Sequence, residues 1–358
     1  MQYRQTEVIS TNPLDPEPDL IERAAALLRA GQLVIFPTET VYGLGADVLQ
    51  PAAVEQIFVA KGRPFSDPLI VHIAAEEELH ALVTNVPAQA RRLAEAFWPG
   101  PLTLILPAGS QVPKLVTAGL ATVAIRMPRH PVALALIRAT GSPIAAPSAN
   151  RFMHISPTTA RHALTDLNGR VPLILDGGPC AVGVESTILD LCAETPIILR
   201  PGGVGLEQLR TILPEVQPPP ERKSVPEEAV LIEEMAQKAP GQLLIHYAPT
   251  VPTFLFEGPA EAMLQAMLAE AKRREELGEQ VGVLVADEDV AVFEGSGARV
   301  YALGSTAEQV ALRLFAGLRV LEEAGVQAIL CRSFGRQGLG LAIRDRLLKA
   351  AGGKLITV

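Results

Sequence analysis

The chain has 358 residues, of which 48% are hydrophobic and 20% charged, and this composition excludes a wholly disordered protein. Its length predicts two domains, or three. The formal net charge is −8, spread evenly over residues 1–216 (16 Lys/Arg, 20 Asp/Glu) and 217–358 (15 Lys/Arg, 19 Asp/Glu). The sequence therefore lacks the broad basic surface that a nucleic-acid-binding protein usually carries, and we expect no stable nucleic-acid binding.

Targeting and metal-binding signals are also missing from the sequence. No apolar run reaches the roughly 18 residues of a membrane-spanning helix, and the N-terminus lacks the order of a secretion signal, so we expect a cytoplasmic protein without membrane contact. The three cysteines form no C-x-x-C motif, and the six histidines are dispersed. We predict neither a disulfide framework nor a metal site held by the protein itself.

Helices and strands alternate along the first 216 residues. The segment DLIERAAALLRAG carries apolar residues at helical spacing, LVIF predicts a strand, and TETVYGLGA predicts a turn into a second helix around Val54 and Phe58. Further strands are predicted at LIVHIA, LTLILPA, TVAIRMP, PIAAPSAN, LILDGG, STILDL and PIILR, with helices near 76–83, 87–97, 131–139, 157–167 and 205–213. Consecutive strands at 173–199 predict an α/β fold with a mixed sheet.

The second part of the chain begins with a change of composition. Residues 217–250 are rich in proline and charge and predict an interdomain linker between a first domain, 1–216, and a second, 251–358. The second domain alternates strands such as VGVLVA and QAILCR with helices at 260–277, 305–324 and 338–351, which predicts a small parallel, Rossmann-like sheet. It has no G-x-G-x-x-G after its first strand, so nothing indicates dinucleotide binding there.

Polar residues interrupt the apolar strands at two places early in the chain. In PTETVYGLG, Thr38, Glu39, Thr40 and Tyr42 follow a buried-looking strand, and two glycines would let the backbone approach a ligand; a capped strand-to-helix turn is equally compatible. In KGRPFSDPLIVH, Lys61 and Arg63 suit a triphosphate, although a helix C-terminus also favours cations. His72, later in that segment, is more typical of a core histidine than of a ligand.

Two later segments carry similar signals. Arg126 interrupts an apolar strand, and a buried arginine requires an internal carboxylate or a ligand anion. Ser148, Asn150 and Ser156 in APSANRFMHISPTT suit phosphate and ribose oxygens. Ser156-Pro157 also has the pattern of a helix N-cap, and the glycine-rich turn LRPGGVG is weak evidence for an anion site.

The order of these segments resembles the Sua5/YrdC family. The resemblance is carried by PTETVYGLGA, KGRPFSDPLIVHI, WPGPLTLIL, VAIRMPRHP, APSAN…SPTTA, VESTILDL and LRPGG, and then by HYAP and GLGLAIRDRLLKAA of the two-domain form. It implies a YrdC-like twisted mixed sheet with surrounding helices around a positively charged cleft, plus the smaller C-terminal domain. It also implies an L-threonylcarbamoyladenylate synthase that uses L-threonine, bicarbonate and ATP for a tRNA modification.

The resemblance further implies residue roles. L-threonine would be held by Thr40, His72, Arg126, Ala146 and Ser186. ATP would be bound by Lys61, Arg63, Asp67, Thr122, Ser148, Asn150, Ser156, Arg200 and Tyr247. Lys61 and Arg63 would act in catalysis, with Mg²⁺ brought by ATP, and Tyr247 would close the site; downstream threonylcarbamoyl transferase proteins are potential partners.

Two positions depart from the family pattern, and two other functions stay open. Asp67 stands where asparagine is frequent, and Met153-His154 stand where glycine and a basic residue are usual, which predicts an altered affinity for ATP. One alternative function is an RNA-binding module of the same fold without catalysis. The other is a carbamoyl-phosphate-dependent transferase, which would normally bring acylphosphatase and zinc-finger segments.

Overall fold

A computed structural model of the chain describes residues 3–220, 239–241 and 247–358. The chain divides into two compact units, Met1–Phe152 with Ser156–Gln242 and Met153–Ile155 with Leu243–Val358. Most of the predicted linker, 217–250, lies outside the described residues. The predicted domain limits at 216 and 251 therefore stay a prediction.

The N-terminal unit contains ten strands and eight helices among its described residues. The strands are β1 (Glu7–Ser10), β2 (Val34–Phe36), β3 (Gly43–Asp47), β4 (Ile70–His72), β5 (Leu102–Pro107), β6 (Thr122–Arg126), β7 (Ile144–Ala145), β8 (Leu173–Asp176), β9 (Thr187–Asp190) and β10 (Ile197–Arg200). The helices are α1 (Pro18–Arg29), α2 (Pro51–Lys61), α3 (Leu79–Leu82), α4 (Ala88–Phe97), α5 (Lys114–Thr117), α6 (Pro131–Thr140), α7 (Ala160–Leu167) and α8 (Leu206–Ile212).

The ten strands form one mixed sheet in the order β1-β8-β2-β3-β7-β4-β6-β5-β9-β10. β4 and β6 are parallel, whereas β7 runs antiparallel to β4 and β5 antiparallel to β6. The consecutive strands β9 and β10 are antiparallel, so the predicted mixed sheet is confirmed. Because β4 and β6 are adjacent and parallel, His72 and Arg126 lie side by side at the ends of these strands.

The predicted turn from PTETVYGLG directly into a helix is wrong, because β3 intervenes and pairs antiparallel with β2. A Cβ atom at Gly45 would lie 2.8 Å from the ring of Phe36, and one at Gly43 would lie 3.3 Å from it. These glycines therefore make room for an aromatic ring of the core. The sequence had suggested that they let the backbone approach a ligand, and their packing against Phe36 has a different cause.

The predicted helix at 157–167 begins three residues later, and Ser156 is not its N-cap. Thr159 caps α7, its hydroxyl accepting a hydrogen bond from the His162 backbone N–H. The carbonyl of Pro157 instead accepts a hydrogen bond from the backbone N–H of Tyr42, which keeps this stretch extended. The Ser156 side chain is thereby left to make a contact outside the helix.

The core of the N-terminal unit covers both faces of the sheet. On one face α1 and α6 pack against each other and on the strands through Leu28, Leu136 and Ile137, all fully buried. On the other face Ile57, Val71 and Leu104 belong to a larger apolar cluster. The polar loops that follow the strands therefore stand on a rigid support.

The C-terminal unit contains a parallel five-stranded sheet in the order β13-β12-β14-β11-β15. Its strands are β11 (Thr253–Glu257), β12 (Val281–Val285), β13 (Arg299–Ala302), β14 (Ala328–Arg332) and β15 (Leu355–Thr357), and its α-helices are α9 (Ala260–Glu276), α10 (Ala307–Glu323) and α11 (Leu339–Ala350). The predicted small Rossmann-like domain is confirmed, with β13 and β15 as strands that the sequence did not indicate. Within the described residues, no helix is long and apolar enough to cross a membrane.

Candidate active site

Arg126 is the centre of one group of polar residues in the N-terminal unit. Its guanidinium pairs with the Glu39 carboxylate at 2.6 Å, donates to the Thr40 hydroxyl at 2.8 Å, and donates from Nε to the Gly100 carbonyl at 3.2 Å. Both charged side chains are nearly inaccessible, with exposures of 4% for Arg126 and 3% for Glu39. The sequence left two partners open for this arginine, an internal carboxylate or a ligand anion. The structure shows that an internal carboxylate is present.

His72 lies beside Arg126 on the neighbouring strand and is buried. Burial and, to a smaller extent, the positive charge of Arg126 together lower the pKa of His72 to about 3, so the imidazole is neutral near pH 7. Its Nδ1 atom has no hydrogen-bond partner among the described residues. A buried polar atom without a partner requires an explanation, so the role of His72 in binding threonine stays a prediction that this ring is compatible with.

Ser186 contacts a second arginine. The hydroxyls of Ser186 and Thr103 lie 2.7 Å apart. Arg200, at the end of β10, donates to the Ser186 carbonyl at 3.0 Å and to its hydroxyl at 3.1 Å. Another nitrogen of Arg200 reaches the carbonyl of Pro240 at 3.4 Å, in the short described part of the predicted linker.

Lys61 ends α2 and points to the loop that follows β7. Its ammonium donates to the Ser148 carbonyl at 2.6 Å and also to the Asn150 carbonyl. Burial lowers the pKa of Lys61 well below its usual value, and the charge of Arg63 lowers it further. The Asn150 side chain also accepts a longer hydrogen bond from Lys61 through Oδ1, at 3.5 Å, and donates to the carbonyl of Arg151 at 2.8 Å. Lys61 therefore fixes the APSAN loop by its backbone.

Arg63 and Asp67 form a second buried ion pair, with 2.9 Å between Nη2 and Oδ1 and exposures of 3% and 1%. Arg63 also donates to the carbonyls of Asp67 and Pro68. Burial raises the pKa of Asp67, while the positive charges of Arg63, Lys61 and Arg200 oppose that rise. Asp67 is thus held by a cluster of three cations, which accounts for an acidic residue at a position expected to lie near a triphosphate.

The remaining predicted contacts differ in their surroundings. The Ser156 hydroxyl donates to Glu185 at 2.5 Å, and the Ala146 backbone N–H donates to the Ile70 carbonyl at 2.9 Å on β4. Thr122 begins β6, four residues before Arg126. Tyr247 belongs to the C-terminal unit, where its ring lies 5.5 Å from that of Phe315.

Three residues that had no predicted role contact predicted site residues directly. They are Glu39, Glu185 and Thr103. Glu39 lies inside the PTETVYGLG motif and directly precedes Thr40, so its position was a usable signal. Gly202 explains the glycine-rich turn, since a Cβ there would lie 2.3 Å from the Glu185 carbonyl oxygen. That turn therefore packs against the segment that carries Ser186.

Two family models match the chain. A family model described as "Telomere recombination" (Sua5, YciO and YrdC proteins) matches residues 26–202. A second model, described as "Threonylcarbamoyl-AMP synthase, C-terminal domain", matches residues 204–352. The chain belongs to the Sua5/YrdC family. The two matches together cover nearly the whole chain, as in the two-domain Sua5 form that the motifs predicted.

Two curated Sua5 relatives align over almost their full length. The chain is 44% identical to a threonylcarbamoyl-AMP synthase of Pyrococcus abyssi, covering 94% of this chain and 96% of the relative. It is 45% identical to the threonylcarbamoyl-AMP synthase of Bacillus subtilis, covering 98% and 97%. Among solved structures, P. abyssi Sua5 complexed with L-threonine is 43% identical, with a TM-score of 0.91 over 99% of this chain and 100% of that chain. The predicted fold and family are confirmed.

Proposed function

We propose that the protein is a threonylcarbamoyl-AMP synthase, a nucleotidyltransferase that forms threonylcarbamoyl-AMP and pyrophosphate from L-threonine, bicarbonate and ATP. The observation that carries the proposal is the composition of two polar groups of the N-terminal unit. The group around Arg126 suits an amino acid, and the cations Lys61 and Arg63 suit a nucleotide. Arg200 binds Ser186, which is predicted to hold threonine, and its charge acts on Asp67, which pairs with Arg63.

The proposed reaction has two steps and needs no covalent bond to the enzyme. The threonine amine and bicarbonate first give a carbamate and water. A carbamate oxygen then attacks the α-phosphorus of ATP, and the bond to pyrophosphate breaks. Catalysis of such a transfer depends mainly on positioning the reactants and on neutralising the charge that develops on the phosphate oxygens.

The residues of the chain would divide these tasks. Thr40, His72, Arg126, Ser186 and the backbone at Ala146 would hold threonine. Lys61, Arg63 and Arg200 would supply positive charge to ATP, and Asp67 would position Arg63. The loop hydroxyl and amide groups of Ser148, Asn150 and Ser156, with Thr122, would line the nucleotide, and Tyr247 stays a predicted ATP contact.

Mg²⁺ would accompany ATP. Among the described residues, no three His, Cys, Asp or Glu side chains cluster as metal ligands. Asp67, the carboxylate within the cation cluster, is already paired with Arg63. The donor groups present do not fit a metal ion held by the protein, and phosphate oxygens with water would be its ligands.

The wider role follows from this product. We propose that threonylcarbamoyl-AMP serves the N6-threonylcarbamoyladenosine modification of tRNA at position 37, after transfer by downstream transferase proteins. The reaction would take place in the cytoplasm, where ATP, threonine and tRNA are available. The protein itself would make no stable complex with nucleic acid, in keeping with the acidity of both halves of the chain.

The test is threonine-dependent release of pyrophosphate from ATP, with Mg²⁺ and bicarbonate present. Lys61→Met keeps the apolar stem of the buried side chain but removes its charge, and we expect release to fall by about 100-fold or more. The matched control is Lys114→Met, because Lys114 is exposed on α5 and should leave the rate unchanged.

Two results would contradict the proposal. One is pyrophosphate release by the unaltered protein that does not depend on threonine. The other is equal activity of the Lys61 and Lys114 variants. Salt-sensitive tRNA binding without ATP turnover would instead support the RNA-binding alternative.

A further inference from the structure

Glu39 is a buried acid, and one of its oxygens accepts no hydrogen bond from the part of the chain that the structure describes. Its Oε2 atom pairs with Arg126 at 2.6 Å. Its Oε1 atom is buried and has no hydrogen-bond partner among the described residues. A buried carboxylate oxygen without a partner costs free energy, so its retention beside a binding arginine points to a ligand donor.

The charges around Glu39 define what such a donor can be. Among the described residues, His130 and Cys180 also interact electrostatically with Glu39. Both side chains are uncharged near pH 7. Burial lowers the pKa of His130 and raises that of Cys180. The neighbouring His72 is neutral as well. The charge of this small region is therefore the sum of Glu39 and Arg126, which is zero.

A neutral pair of opposite charges selects for a ligand that is itself a pair of opposite charges. A ligand with only a carboxylate would be attracted by Arg126 and repelled by Glu39. A ligand with only an ammonium group would be attracted by Glu39 and repelled by Arg126. A zwitterion satisfies both groups at once. The guanidinium of Arg126 has five N–H groups. Three of them are directed to Gly100, Thr40 and Glu39, which leaves two for a ligand carboxylate.

We propose that Glu39 is a substrate-binding residue whose Oε1 atom accepts a hydrogen bond from the α-ammonium of the amino acid, while Arg126 binds its α-carboxylate. Glu39 and Arg126 then form a zwitterion clamp that excludes monoanions from the site. This inference rests on the proposed function, because it assumes that an amino acid occupies the Arg126 group. It adds the residue that distinguishes an amino acid from a simple hydroxy acid.

The experiment compares three ligands by calorimetry: L-threonine, (R)-3-hydroxybutanoate, which lacks the ammonium, and L-threoninol, which lacks the carboxylate. For the unaltered protein we expect both analogues to bind at least about 100-fold more weakly than threonine, because each leaves one buried charge unmatched. Glu39→Gln should weaken threonine binding by about tenfold or more and strengthen hydroxybutanoate binding, since the repelling charge is gone.

This reversal of selectivity separates ligand binding from a structural role. If Glu39 only positioned Arg126, the variant would lose threonine and hydroxybutanoate binding together, and the clamp would be wrong. Glu55→Gln, on the exposed face of α2, is the matched control and should change neither affinity. ATP affinity should stay unchanged in both variants, and a thermal unfolding scan checks that each is folded.

The unaltered protein gives a test that needs no variant. Binding of (R)-3-hydroxybutanoate within about threefold of threonine would overturn the clamp even if Glu39→Gln did not fold. Failure of the two proposals can be told apart. If the unaltered protein does not bind threonine at all, the proposed function fails; if it binds threonine but the selectivity is absent, only the role of Glu39 fails.

Discussion

Two buried ion pairs of the N-terminal unit contrast with a partly exposed ion-pair cluster of the C-terminal unit. In the N-terminal unit, Arg63–Asp67 and Arg126–Glu39 have side-chain exposures of 4% or less. In the C-terminal unit, Glu257 holds Arg344 and Arg336, and the three side chains are 17%, 17% and 58% exposed. The same kinds of residue are thus desolvated in the first case and partly hydrated in the second.

From this difference we infer that the buried pairs are retained for binding, whereas the exposed pairs are surface charges. A buried pair does not repay its desolvation by attraction alone, so apolar residues of similar size would often be as stable. A protein that retains two such pairs within one unit retains them for another reason. In the N-terminal unit, both pairs contact or neighbour the residues predicted to bind threonine and ATP. The exposed pairs of the C-terminal unit carry no such indication.

The largest effect is expected from breaking the buried pair. Arg63→Met leaves Asp67 charged and desolvated, and should reduce the free energy of unfolding of the N-terminal unit by about 3–5 kcal/mol. The double variant Arg63→Met/Asp67→Leu removes both charges and should recover most of that loss without recovering activity. Urea denaturation with parallel pyrophosphate assays measures both. A double variant as unstable as the single one would show that Arg63 stabilises the fold through its other contacts.

A smaller effect is expected from the neutral histidine. The pKa of His72 is about 3, below its ordinary value near 6.5, so protons bind the unfolded chain preferentially as the pH falls below 6.5. Between pH 7 and pH 5 this should remove about 2 kcal/mol of stability. His72→Gln cannot take up that proton and should lose correspondingly less. His80→Gln, on the short helix α3, is the control; equal pH dependence in all three proteins would contradict the burial argument.

The smallest effect belongs to the exposed pairs. Hydrogen bonds from Arg344 and, to a smaller extent, from Arg336 together lower the pKa of Glu257 to about 2. Its contribution is therefore complete above about pH 4.5 and is lost as the pH falls through about 2. Glu257→Gln should reduce stability by about 1 kcal/mol at pH 7, because the pair is partly hydrated. The difference from the unaltered protein should shrink toward pH 2 in denaturation curves. A loss as large as that of Arg63→Met would remove the contrast between the two units.

Much of the fold follows from local patterns. Helices such as α1 and α4 carry strong helical periodicity, and the apolar strands are bounded by Pro and Gly, so their positions were predictable. The failures have tertiary causes. Gly43 and Gly45 belong to β3, where the Phe36 ring of the neighbouring strand packs against them. The local sequence contains no signal for that contact. Ser156 caps no helix because Glu185, far along the chain, takes its hydroxyl.

By itself, the sequence determined the family, the division into two α/β domains and the polar segments that interrupt apolar strands, since these depend on local order and composition. Only the tertiary structure decided which side chains meet. Arg126 required a counter-charge, but whether that charge came from a ligand or from Glu39 depended on bringing together residues 87 positions apart. Burial, partnering and pKa arise from such distant neighbours, so the role of Glu39 became visible only in the folded chain.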